Sequence, residues 1–98
     1  MTPNDEAPNG RIIVTVLGSD RPGIVAAVAG ALSEHDANIL DISQTILQGI
    51  FTMTMLVEVD NVEESFAPTK AALDALAMQL GVQITMQREE VFRFMYRL

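Results

Sequence analysis

The spacing of hydrophobic residues changes along the chain, and each change marks a different element. Arg11–Leu17 is a β-branched run whose two alternating sets are both largely apolar, which predicts a central strand. Pro22 suits the first turn of a following helix, and Asp36 or Asn38 suits its end in a left-handed conformation. The buried stripe predicted for this helix is Ile24, Ala27, Val28, Ala31, Leu32 and His35.

Two apolar runs on either side of Gln48-Gly49 predict a β-hairpin. If Leu47 opposes Ile50, one face of the hairpin is apolar and should pack on helices. The other face is half polar and should be partly covered. A slip of one residue would mix the faces, so this register is predicted. The apolar face is expected to hold Leu40, Ile42, Ile46, Phe51, Met53, Met55 and Val57.

A second helix is predicted over Glu63–Leu80, followed by a last strand over Val82–Gln87. Ser65 is expected to cap this helix, Pro68 to lie within its first turn, and Gly81 to end it. Met53, Met55, Met78 and Met86 are all interpreted as core residues. The predicted buried stripe of the helix is Phe66, Thr69, Leu73, Leu76 and Leu80.

The order strand, helix, strand, strand, helix, strand predicts an α+β fold of ferredoxin-like βαββαβ type. It has a four-stranded antiparallel sheet with two helices on one face. We expect residues 1–10 to form a flexible tail, 11–88 the domain, and 89–98 a short C-terminal helix. In that helix Glu89 can pair with Arg93 one turn later. Its aromatic residues should dock on the domain or on a second subunit.

Composition excludes several classes of function. The 98 residues include 13 acidic and 6 basic side chains, giving a net charge of −7, so nucleic acid and anionic membranes are poor partners. The absence of cysteine excludes disulfides and thiolate sites, and fits a cytoplasmic protein. The polar start does not resemble a signal peptide, and no apolar run is long enough to span a membrane. The single histidine, His35, is interpreted as a core-edge residue rather than a metal ligand.

The stretch LGSDRPGIVA joins the first strand to the first helix, and it has two interpretations. In the first, Gly18 and Gly23 allow close approach to the unpaired N–H groups of the helix, which can hold a carboxylate. Asp20 can then accept an ammonium group, so the junction suits an amino acid. In the second, the junction is a plain turn that Asp20 caps and Pro22 starts.

The longer stretch LGSDRPGIVAAVAGALSEHDANILDIS resembles the opening of an ACT domain. That family has a G-x-D/N-R-P-G turn, an apolar helix and then an Asn-Ile pair at the next strand. DISQTIL and the ending FMYRL resemble the small stand-alone ACT proteins of bacteria and archaea. The matching residues are Gly18, Asp20, Arg21, Pro22, Gly23, Ala37, Asn38 and Ile39.

The resemblance implies a non-enzymatic regulatory module without cofactor, metal or catalytic residues. It would bind an amino acid or similar metabolite at a subunit interface, form a homo-oligomer (most simply a dimer), and act on a separate partner protein. Some ligand-binding relatives have Asn where Asp20 stands, and an acid there favours the ammonium of a ligand over its carboxylate. The implied ligand-binding residues are Gly18, Ser19, Asp20, Arg21, Pro22, Gly23, Ile24, Asn38 and Ile39.

Two other functions stay open at this point. One is a dimerisation module that has no ligand and uses its aromatic tail for contact. The other is an acylphosphatase-like hydrolase, because the same fold hosts enzymes that use an arginine and an asparagine, as Arg21 and Asn38 could serve. Pro22 removes an N–H group from such a phosphate site, and Asp20 adds a negative charge beside it.

Overall fold

The computed structural model describes residues 10–19 and 22–96, and it has the predicted fold. Four antiparallel strands form one sheet in the order β2-β3-β1-β4, and the connections are those of the ferredoxin-like fold. The elements are β1 (Gly10–Ser19), α1 (Ile24–Glu34), β2 (Asn38–Leu47), β3 (Ile50–Val59), α2 (Val62–Leu80), β4 (Gln83–Arg88) and α3 (Glu89–Tyr96).

The predicted hairpin register is confirmed from Leu47–Ile50 through Ile42–Met55. Nearer its start β2 has a bulge between Ile39 and Asp41, which the alternating pattern did not reveal. Ile39 therefore takes the place opposite Val57. The prediction that Leu40 belongs to the apolar face in register with its neighbours was wrong, because a bulge adds one unpaired residue and shifts the alternation.

The core lies between the sheet and the pair of helices α1 and α2. The predicted stripe of α1 is confirmed: Ile24, Val28 and Leu32 are buried. Met53, Met55 and Met86 are buried as predicted, but Met78 is 86% exposed, so its interpretation as core was wrong. Position 78 lies outside the stripe of α2 that packs on the sheet, which runs through Val62, Phe66, Thr69, Leu73 and Leu76.

Three predictions about helix ends need correction. Pro22 lies before α1 rather than in its first turn, because the helix begins at Ile24. Asn61, not Ser65, caps α2: its Oδ1 accepts the N–H groups of Glu63 and Glu64 at 3.1 and 3.3 Å. Because α2 therefore begins at Val62, Pro68 falls in its second turn and leaves one helical hydrogen bond unmade.

The expected ends of both helices are confirmed. Asp36 follows α1 with a φ of 58°, and Gly81 ends α2 with a φ of 72°. Short polar or Cβ-free residues tolerate this left-handed conformation. His35 is half-buried at the end of α1, where its N–H group donates to the carbonyl of Leu32.

The C-terminal helix α3 partly covers the face of the sheet opposite α1 and α2, which we call the open face. Arg11 and Gln87 point to this face, since their neighbours Ile12 and Met86 point into the core. The carboxylate of Glu89 lies 3.7 Å from Arg11, and Gln87 Nε2 donates to Met95 Sδ at 3.5 Å. The predicted pairing of Glu89 with Arg93 is confirmed at 2.9 Å. Thus α3 covers the β1–β4 half of the open face.

Within the described residues, no helix combines the length and the apolar character needed to cross a bilayer. Over the same residues, no group of His, Cys, Asp or Glu is placed to hold a metal ion.

Candidate ligand site

The predicted site begins where β1 leaves the sheet. Ser19 is the last paired residue of β1 and lies opposite Ile50, and the chain then reaches α1 through Pro22 and Gly23. Ser19, Pro22 and Gly23 are exposed. Asp20 and Arg21, which the sequence places at the centre of this site, lie outside the described residues.

Within the described part of the chain, the N-terminus of α1 at Gly23 has no side-chain cap. Gly23 is the N-cap residue, has a φ of 92°, and offers no side chain to cap the helix. Among the described residues, none comes within 4 Å of a Cβ placed at this position. The first helical hydrogen bond runs from the Ala27 N–H to the Gly23 carbonyl at 2.9 Å. The preceding N–H groups, of Ile24, Val25 and Ala26, need partners from outside the helix.

The charge pattern of α1 favours an anion at this end. The first turn of α1 contains no acidic residue, so no carboxylate of the helix itself competes for these N–H groups. The buried side chain of Ile24 anchors the first turn to the core. A preorganised helix end of this kind can hold one carboxylate through its amides and the positive end of the helix dipole.

Gly18 has a different role from the one that the sequence suggested. A Cβ at Gly18 would lie 2.7 Å from Val82 Cγ1, so the residue that approaches it closely is Val82, between α2 and β4. The small size of Gly18 is therefore explained by packing inside the domain. It adds no evidence for a ligand.

Asn38 and Ile39 lie at the other end of the molecule. Asn38 starts β2 opposite Glu58, whose partner on β1 is Arg11, eight positions away from Ser19. At about 3.3 Å for each residue, this separation is about 26 Å along the sheet. Asn38 is exposed, whereas Ile39 is half-buried. One chain therefore does not bring the predicted site residues together.

The outer strand β2 is the most exposed part of the sheet. Its Ile42, Ile46 and Leu47 all remain accessible, and Ile46 is 58% exposed. Within the described residues β2 pairs only with β3, so no strand lies along its other edge. Long apolar edge strands pair readily with another strand. The sequence predicted the hairpin but not which of its strands lies at an edge, because that depends on the strand order of the sheet.

Sequence reasoning also missed a groove on the open face beside β2. The alternation of polar and apolar residues predicted the composition of this face. It could not show which part α3 would cover, because that depends on the strand order and on the turn between β4 and α3.

The topology and the composition of the β1–α1 junction can be compared with those of known proteins. The sequence model of a family described as "ACT domain" matches residues 10–87, which include β1, β2, β3 and all but the last residue of β4. The chain belongs to the ACT domain family.

Several relatives resemble this ACT domain over nearly their whole length. A UPF0237 protein of Methanocaldococcus jannaschii is 47% identical over 88 residues, which are 90% of this chain and 98% of the relative. A UPF0237 protein of Bifidobacterium longum is 44% identical over the same fractions. The solved structure of an ACT domain protein from Streptococcus pneumoniae is 39% identical, with a TM-score of 0.76, covering 89% of this chain and 98% of that one.

Proposed function

We propose that this ACT domain is a non-enzymatic regulatory module that binds an amino acid or a similar small metabolite between two copies of the chain. It then acts on a separate partner protein in the cytoplasm. The observation that carries the proposal is the N-terminus of α1 at Gly23, which no described side chain caps and whose first amides need partners from outside the helix.

The proposed ligand chemistry follows from this helix end. The carboxylate of an amino acid is held by the amides of the first turn of α1. Asp20, three residues before the N-cap Gly23, supplies the acceptor for the ammonium group. The rest of the proposed site comes from Gly18, Ser19, Arg21, Pro22 and Ile24 of the same chain, and from Asn38 and Ile39 of a second copy.

A two-fold arrangement explains how distant residues can share one ligand. If β2 pairs antiparallel with β2 of a second copy, the start of one strand lies beside the end of the other. Asn38 of the second copy is then carried to the end of the sheet that holds Ser19 and Gly23. The exposed apolar edge of β2 supports this pairing.

The proposal is tested by a thermal-shift screen against the amino acids and a few keto acids, followed by calorimetry with any hit. A ligand present at a hundred times its dissociation constant stabilises the folded protein by about 2.7 kcal/mol, which raises the Tm by several degrees. We expect one compound to do so, and we expect Asp20→Ala and Asn38→Ala to abolish its effect. Ser33→Ala, on the exposed far end of α1, serves as the matched control and should leave it unchanged.

Mixing the two variants tests whether the site is shared between subunits. A mixed dimer of Asp20→Ala and Asn38→Ala chains keeps one site in which both native residues are present. Binding should therefore return after the two proteins are exchanged together. Binding that stays absent in the mixture would contradict a shared site.

The second candidate is a dimerisation module that binds no ligand, and the exposed edge of β2 favours it independently. If no compound shifts the Tm while the protein remains oligomeric, this candidate replaces the first. The acylphosphatase hypothesis requires Arg21 and Asn38 to share one site. It loses support because Asn38 lies at the opposite end of the sheet from Ser19, which comes shortly before Arg21 in the sequence.

A further inference from the structure

A groove of about 140 Å³ crosses the open face of the sheet between β1 and β2. Strand register explains its shape, since Ile13, Leu56 and Asp41 form one row across three neighbouring strands, with Thr54 and Ser43 in the next. The groove stays uncovered because α3 lies over the β1–β4 half of this face. It is lined by Ile13, Asp41, Ile42, Ser43, Thr54 and Leu56.

The groove combines apolar walls with one acidic group. Ile13 and Leu56 supply apolar surface, while the carboxylate of Asp41 lies at the exposed β2 side. Asp41 Oδ1 accepts the N–H group of Ile42 at 2.8 Å, which fixes the position of the carboxylate. The groove therefore suits an apolar group that carries a cation beside it.

Two consecutive residues of α3, Arg93 and Phe94, supply a cation and an apolar group. Phe94 is 72% exposed, and Val91 and Met95 next to it on the helix are also exposed. The side chain of Arg93 is 72% exposed even though it donates to Glu89. Aromatic residues and arginine are the side chains that most often anchor protein interfaces.

We propose that the open face is a second subunit interface, in which α3 of another copy places Phe94 in the groove and Arg93 beside Asp41. The volume of the groove, about 140 Å³, is close to that of a cavity of about 150 Å³ that binds benzene, so an aromatic ring is of a suitable size. Each copy carries both the groove and the helix, so one two-fold axis satisfies both contacts at once. This interface uses the open face, and it is independent of the ligand and of the edge of β2.

A charge exchange tests the proposed contact between Arg93 and Asp41. In Asp41→Arg two arginines meet at each groove, and in Arg93→Asp two aspartates meet. Each variant alone should therefore have half the mass of the wild-type assembly by light scattering. In an equimolar mixture each groove of a mixed pair again holds opposite charges, so the wild-type mass should return.

The mixture also separates contacts between chains from contacts within one chain. If Arg93 met Asp41 of its own chain, mixing two defective chains would restore nothing. Unchanged mass in either single variant, or a mixture that stays at half mass, would overturn the proposal.

Phe94→Ala tests the aromatic anchor without changing a charge. It should also halve the mass, whereas Met78→Ala, which removes an exposed apolar side chain from α2, should not. Circular dichroism of each variant checks that the fold is intact. Equal masses for folded Phe94→Ala and wild type would overturn the proposal.

Discussion

At the scale of single residues, Gly18 and Gly30 lie in very different surroundings. A Cβ at Gly18 would approach Val82 Cγ1 to 2.7 Å. A Cβ at Gly30, on the exposed side of α1, would have no neighbour within 4 Å among the described residues. Both glycines lack a left-handed φ, so packing and helix propensity decide what alanine does at each position.

We predict that Gly18→Ala lowers the free energy of unfolding by about 1–3 kcal/mol, because Val82 must move to make room. Gly30→Ala should raise it by about 0.5–1 kcal/mol, since alanine is the better helix former. Urea denaturation of both variants measures these changes. Equal stability of Gly18→Ala and wild type would show that Val82 yields without cost.

At the scale of elements, Glu89 stabilises the packing of α3 on the open face. Its side chain is 18% exposed and contacts both Arg11 on β1 and Arg93 one turn later in α3. The pair of Lys70 and Asp74 on α2 has the same spacing as Glu89 and Arg93, but both of its side chains are about half exposed. Because the sequence spacing is the same in both pairs, a difference in their contribution to stability reports on partial burial and not on spacing.

We predict that Glu89→Ala destabilises the protein by about 1–2 kcal/mol, because it removes hydrogen bonds to charged groups that solvent screens only partly. Asp74→Ala should cost no more than about 0.5 kcal/mol, as is usual for exposed pairs on a helix. Denaturation curves, with hydrogen exchange over α3, measure both effects. If the two variants lose similar amounts of unfolding free energy, the ion pairs of Glu89 contribute no more than an ordinary surface ion pair.

At the scale of the whole molecule, two separate surfaces are proposed to join copies of the chain. The edge of β2 and the open face lie at right angles to each other. Two-fold axes through them would be perpendicular, and perpendicular two-fold axes that intersect close four copies into one assembly. We therefore expect a tetramer when both interfaces form.

We predict that Ile46→Lys breaks the β2 interface and halves the mass of this assembly, because a lysine discourages pairing at an exposed apolar edge. Met78→Lys adds the same charge at an exposed position on α2 and should leave the mass unchanged. Sedimentation velocity measures both. Combining Ile46→Lys with Asp41→Arg should give a monomer, and a dimer in that double variant would show that one surface was assigned wrongly.

Much of the fold could be predicted from local signals. The period of the apolar residues gave the helix of Ile24, Val28 and Leu32, and the hairpin register followed from the need to keep two faces separate. The bulge before Asp41 was missed, because Ile39 and Leu40 are both apolar and either one could occupy the apolar face. The wrong cap at Ser65 arose because Asn61 and Ser65 are both suitable capping residues.

Less of the candidate site than of the fold could be predicted from the sequence. The sequence by itself determined the fold family, the hairpin register and the residue types around Gly23. The tertiary structure decided that Asn38 lies about 26 Å along the sheet from Ser19, that Gly18 accommodates Val82, and that α3 leaves a groove beside Asp41. Local patterns encode which face a residue occupies, whereas strand order and helix docking set which distant faces meet.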